Sequence, residues 1–100
     1  MPVYLIGNID IHDRDGYRQY ETGFMEIFSR YGGRMLSVEE APRVLEGDWR
    51  ATRTVLIEFP SEEDAMAWYQ SEEYQALAQH RTTASHANIA LINGLAGAGD

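Results

Sequence analysis

From Val3 to Ile11 the chain alternates: Val3, Leu5, Ile9 and Ile11 are apolar at odd positions, while Tyr4, Ile6, Asn8 and Asp10 form a mixed set at even ones. A period of two predicts a strand with one face against a core. Beyond Asp13, a good helix cap, the period changes. Tyr17, Tyr20, Phe24, Ile27, Phe28 and Tyr31 recur three and four residues apart, which predicts a long helix with one buried stripe. Gly32-Gly33 supplies the left-handed stop that helices favour. Gly16 and Gly23 inside it each cost about 1 kcal/mol relative to alanine, and close packing against the sheet is the expected compensation.

Arg34 to Val38 reads as a short second strand, followed by an irregular stretch to Arg50 with Pro42 and Gly47-Asp48 as breakers and Val44-Leu45-Glu46 as an extended piece. Thr52 to Phe59 is a third strand, with Val55, Ile57 and Phe59 facing one way and Thr54, Leu56 and Glu58 the other. Pro60 ends it. Ser61-Glu62-Glu63-Asp64 resembles a capping box with aspartate in place of glutamate, opening a helix that buries Ala65, Trp68 and Tyr69. Ser71 caps a further helix with Tyr74, Leu77 and Ala78 inward, and Ala87 to Ile92 is the last strand. Strand, helix, strand, strand, helix, strand is the ferredoxin-like split βαβ. The expectation is an α+β fold: a four-stranded antiparallel sheet with the first strand beside the last and helices on one face, in a single domain over residues 1–94 with a flexible tail at 95–100.

That arrangement leaves one sheet face open. It would carry Tyr4, Ile6, Asn8, Asp10, Thr54, Leu56, Glu58, Asn88, Ala90 and Ile92, over about 350 Å² of sheet. A mixed patch of that size is at the edge of what a monomer leaves exposed, so a homodimer packed sheet to sheet is expected, with a solvated sheet as the alternative.

Composition narrows the chemistry. No cysteine is present, which excludes disulfides and thiolate nucleophiles and suits a reducing, cytoplasmic setting. All eight basic residues are arginine, so Schiff-base chemistry has no lysine to use. A net charge of -8 argues against nucleic acid and anionic membrane as partners. No apolar run is long enough to span a bilayer. Nothing in the sequence calls for a cofactor.

Several segments, taken in order, carry a resemblance: Tyr31-Gly32-Gly33-Arg34, Leu45-Glu46-Gly47-Asp48-Trp49, Arg53, Glu58-Phe59-Pro60-Ser61, Ala65, Trp68-Tyr69 and Glu73-Tyr74-Gln75. Together with Val3 to Ile11, Tyr17 and Tyr20 they resemble the DUF1330 family, a sequence-defined family of the dimeric α/β-barrel group, across about residues 2–94. The resemblance implies a bacterial intracellular protein, a two-fold dimer and a role not established for the family. After the last helix the chain departs from the pattern, with Gln79-His80-Arg81 and later Ile92-Asn93-Gly94.

The candidate site residues are Asn8, Asp10, His12, Arg53, Glu58, His86 and Asn88. His12, His80 and His86 lack metal-ligand spacing. If the first and last strands pair with residue numbers summing near 98, His12 faces His86 and Asp10 faces Asn88, a cluster fit for a general base or metal, or simply solvated. Arg53 either offers its fork to a carboxylate ligand or pairs with Asp48 or Glu46. Glu58 is either a proton acceptor raised by burial or the partner of an arginine across the dimer. Trp49, Trp68 and Tyr69 read as packing residues. Two functions follow. One is a module that binds a small, partly apolar ligand in the barrel interior; the alternative is a cofactor-independent monooxygenase-, isomerase- or lyase-like enzyme on a small carbonyl or phenolic compound. A cavity behind Asp10, Glu58 and Asn88 in the dimer, with room for a ligand and a strongly pKa-shifted acid or histidine, would favour the enzyme; a filled interior would favour the module.

Overall fold

The computed structural model describes residues 1–95. Residues 96–100, most of the expected tail, lie outside the described residues. The elements are β1 (Val3–Ile11), α1 (Arg14–Phe28), a 3₁₀ turn (Ser29–Tyr31), β2 (Arg34–Glu39), β3 (Arg53–Phe59), α2 (Glu62–Tyr69), α3 (Glu72–Ala84) and β4 (Ser85–Asn93). Each helix begins where its cap predicts. The carboxylate of Asp13 accepts from the Gly16 amide, and the hydroxyls of Ser61 and Ser71 accept from the Asp64 and Tyr74 amides, satisfying donors that a helix start leaves unpaired. Gly32, at φ 77°, ends the 3₁₀ turn in the left-handed region. Val44-Leu45-Glu46, expected as an extended piece, joins no strand and is exposed or nearly so throughout.

The sheet is antiparallel in the order β2-β3-β1-β4. Its register places Tyr4 between Glu58 and Ile92, Ile6 between Leu56 and Ala90, and Asn8 between Thr54 and Asn88. One face therefore carries the mixed set expected of it. The outer register differs from the expected one by two residues: β1 and β4 pair with numbers summing to 96, so Asp10 faces His86 and Asn8 faces Asn88.

The other face meets the helices. Val3, Leu5, Ile9, Ile11, Ile57 and Phe59 are buried there beneath Tyr17, Tyr20 and Phe28 of α1, Trp68 of α2 and Tyr74 of α3. Trp68 is the hub, its ring centroid 4.1 Å from that of Tyr74, 5.4 Å from Phe59 and 5.7 Å from Phe28. Aromatic pairs at these separations add to the burial term. The two helical glycines serve helix against helix instead of helix against sheet. A Cβ on Gly23 would come within 2.8 Å of Leu77 in α3, and one on Gly16 would crowd Asp13 and Ala84. No helix among the described residues is long and apolar enough to cross a membrane.

Candidate functional site

Between the helices and the sheet lies a cavity of about 240 Å³. Its origin is readable in β1. Inward positions 3, 5, 9 and 11 carry branched side chains, but position 7 is glycine, midway along the row and flanked by Val55 and Ile89. A Cβ there would meet Ile89 only at an ordinary 3.7 Å, so the backbone does not demand glycine. The missing side chain is what hollows the floor. Tyr17, Tyr20 and Phe24 form the roof, with Trp68 and Tyr74 beside them. Met25 and Val38, both about half exposed, mark the mouth between α1 and β2.

Two arginines line this largely apolar space, and their situations differ. Arg53 extends from β3 toward α1, its guanidinium 5.2 Å from the Tyr17 ring centroid. It donates to Glu21 at 2.7 Å and to Glu40, which also pairs with Arg14 at 3.5 Å. Burial works against the Arg53 charge, but the bonds to Glu40 and Glu21 overcome it and raise its pKa. The Arg53 bonds hold the Glu40 carboxyl below the usual carboxylate range. Arg53 is thus neutralised, by Glu21 and Glu40 and not by the expected Asp48 or Glu46.

Arg81 has no such partner. It lies on the inner stripe of α3, seven residues after Tyr74, and is only 6% exposed. No carboxylate among the described residues pairs with it, and its Nε is buried without an acceptor. What compensates it is neutral: the Tyr74 hydroxyl and the Tyr20 ring, the latter 5.7 Å away. Removing an ion from water costs several kcal/mol even after relaxation, and a desolvated cation–π contact returns about 2. The balance is unfavourable. Burial opposes the Arg81 charge while the Tyr74 and Tyr20 phenols favour it, leaving its pKa above the ordinary arginine value, so the cation persists.

The hydroxyls of Tyr20 and Tyr74 lie 2.6 Å apart beside it. In such a pair one O–H is spent on the partner and the other remains free to donate. Burial raises both phenolic pKa values, Tyr20 the more strongly, so neither ionises to neutralise Arg81. Among the described residues, the buried side-chain donors without acceptors are Arg53 Nε, Trp68 Nε1 and Arg81 Nε. All three residues line the cavity. Of this group, sequence reasoning singled out only Arg53, and named Arg81 merely as a departure from a pattern. The spacing of Tyr74, Ala78 and Arg81 was the available signal, because it puts an arginine on a buried stripe.

The remaining expected residues lie on the open face and fall into two places. Asn8, Asp10, His86 and Asn88 line an open groove of about 400 Å³ with Asp48, Trp49 and Arg50. His12 stands next to it, its ring centroid 5.6 Å from that of His86. The histidines therefore approach diagonally, not as a directly opposed pair. Trp49 is not core: it is 45% exposed and donates from Nε1 to Thr54 Oγ1 at 3.0 Å. Glu58 faces Tyr4, at the other end of β1 from Asp10, some six residues or about 20 Å away. It accepts from Arg34 of its own chain at 2.8 Å. Asp10, Glu58 and Asn88 consequently share no cavity within one chain. Among the described residues no three histidine or acidic side chains are grouped to hold a metal ion.

Solved structures share this architecture at low identity. A protein of unknown function from Rhodopseudomonas palustris is similar with a TM-score of 0.81 and 17% identity, over 94% of this chain and 82% of its own. A dimeric ferredoxin-like protein of unknown function from Jannaschia sp. follows at 0.69 and 8%, over 94% and 100%. SnoaB, a cofactor-independent oxygenase from Streptomyces nogalater, is similar at 0.60 and 11%, over 93% and 92%. These likenesses establish a ferredoxin-like fold. No curated protein matches the sequence. The family model described as a domain of unknown function, DUF1330, matches residues 2–95, and the chain belongs to that family.

Proposed function

We propose that the protein is a dimeric small-molecule-binding protein whose ligand occupies the cavity between the helices and the sheet of each subunit. The observation that carries this reading is the hollow above Gly7, kept open in a core otherwise filled by aromatic rings. Unfilled core space costs stability, and an engineered cavity of about 150 Å³ accepts benzene. At about 240 Å³ this one has room for a ring with a short arm. The open face supports the dimer: Ile6, Leu56 and Ala90 form an apolar centre between Tyr4 and Ile92 on one side and Asn8 on the other, and two similar folds are described as dimeric.

The test uses the protein's two tryptophans. Trp49→Phe leaves Trp68, which lines the cavity, as sole reporter. Benzyl alcohol should change its emission saturably, and Gly7→Leu, which places a side chain in the hollow, should abolish that change. A parent without a saturable response, or a Gly7→Leu variant that keeps it, refutes the cavity as a binding site. A cofactor-independent enzyme is the second reading, favoured by the Tyr20–Tyr74 hydroxyl pair beside a buried cation, an arrangement suited to stabilising a developing oxyanion. It requires the bound compound to be consumed, which proton spectra of a protein–ligand mixture followed over hours would reveal.

A further inference from the structure

We infer that the ligand is a small monocarboxylate: its charged end lies against Arg81 and the Tyr20–Tyr74 hydroxyls, and its apolar body lies above Gly7 among Phe24, Trp68 and Ile89. This deepens the cavity reading and rests on it. Three observations converge. Among the described residues the cavity lining holds one cation without a carboxylate partner, because Arg53 pairs with Glu21 and Glu40 and Arg81 pairs with no acid. Donors line this space: the Arg81 guanidinium, the free hydrogen of the tyrosine pair and the Trp68 indole N–H, while the Tyr74 hydroxyl is a neutral acceptor that gives Arg81 no counter-charge. A planar guanidinium matches a planar carboxylate through paired parallel bonds. A neutral ligand would leave that cation buried without its counter-charge, and a dianion would exceed it.

Electroneutrality also limits the rest of the molecule. The floor and roof are aliphatic and aromatic, so hydroxyl-rich acids would lose their hydration without replacement. An aryl or alkyl acid of about ten heavy atoms suits both the volume and the lining.

The test measures calorimetric affinity for two matched pairs, phenylacetate against phenylacetamide and hexanoate against hexanamide, at neutral pH. Each amide keeps the shape of its acid and removes the charge. In the parent, at least one carboxylate should bind about tenfold or more tightly than its amide. Arg81→Met keeps an unbranched, flexible stem, shorter than that of arginine, and removes the charge; it should lose that preference while holding the amide within about threefold of the parent. Equal binding of acid and amide in the parent, or a preference that survives Arg81→Met, overturns the inference and leaves the cavity reading intact. Failure of all four compounds to bind the parent overturns both. The parent's own acid-to-amide ratio needs no variant, so an Arg81→Met that folds poorly does not shield the inference.

Discussion

The two faces of the sheet use polar side chains in opposite ways. On the open face of the single chain, Asp10, His12, His86 and Asn88 sit at exposed positions, where their proximity creates little energetic demand. On the helix side the polar groups are fewer, yet Arg81, Tyr20 and Tyr74 are buried and must be satisfied by one another or by a ligand. The residues usually associated with chemistry, histidine beside aspartate, occupy the cheap environment. The costly environment holds an arginine and two tyrosines that a hydrophobic stripe conceals. Burial, more than residue type, marks where polar groups carry an energetic demand.

The contrast is sharpest for substitutions that empty the helix side. Trp68→Ala removes the central ring of the aromatic cluster and should destabilise by about 3–5 kcal/mol, read from the midpoint of urea unfolding. An unchanged midpoint would mean that Trp68 is not the hub its contacts indicate. Tyr74→Phe comes next. It leaves the Tyr20 hydroxyl without its buried partner and should cost about 1–3 kcal/mol; a neutral effect would show that the pair is accessible to water.

The same tyrosines predict a pH dependence. Burial raises the folded-state pKa of Tyr17, Tyr20 and Tyr74, so the native state holds its phenolic protons more tightly than the unfolded chain. Stability is then fully present below about pH 10, the unfolded value, and falls above it, by up to about 1.4 kcal/mol per pH unit per group. Of the six tyrosines, these three should ionise only as the protein unfolds, visible as a step in ultraviolet absorbance coincident with loss of circular dichroism. Independent ionisation of all six before unfolding would contradict their burial.

On the open face the effects shift from stability to assembly. Ile6→Glu with Leu56→Glu places like charges on adjacent strands at the centre of the proposed interface. By light scattering, the parent should have twice the 11.3 kDa mass of the chain, and the double variant should have the chain mass. The smallest effect belongs to the histidines: His12→Ala and His86→Ala should each move stability by no more than about 0.5 kcal/mol, as exposed substitutions do. A larger loss would promote the groove from solvated edge to structural element and weaken the contrast between the faces.

Much of the architecture was legible because it is local. Asp13, Ser61 and Ser71 cap helices through bonds to amides three residues away, and the alternation in β1 and β3 assigns each side chain to a face. In the sheet Arg53 shares the inward side with Val55, Ile57 and Phe59. The site was less legible because its signals are omissions and mismatches: a glycine in an apolar row at position 7, an arginine in an apolar stripe at position 81.

What the sequence determined alone was the order of elements, their caps, the face to which each strand residue belongs and the family. The tertiary structure decided the rest. A period of two distinguishes faces but is unchanged by a two-residue slip, so only the assembled sheet set Asp10, and not His12, opposite His86. Ion-pair choice is equally non-local: Glu21 and Glu40 reach Arg53 because α1 and the end of β2 converge there, whereas Asp48 and Glu46 are merely near in sequence. The charge of Arg81 acquired its meaning only when three helices and a sheet closed around it, because an unpaired cation is ordinary in water and costly only once the solvent is gone.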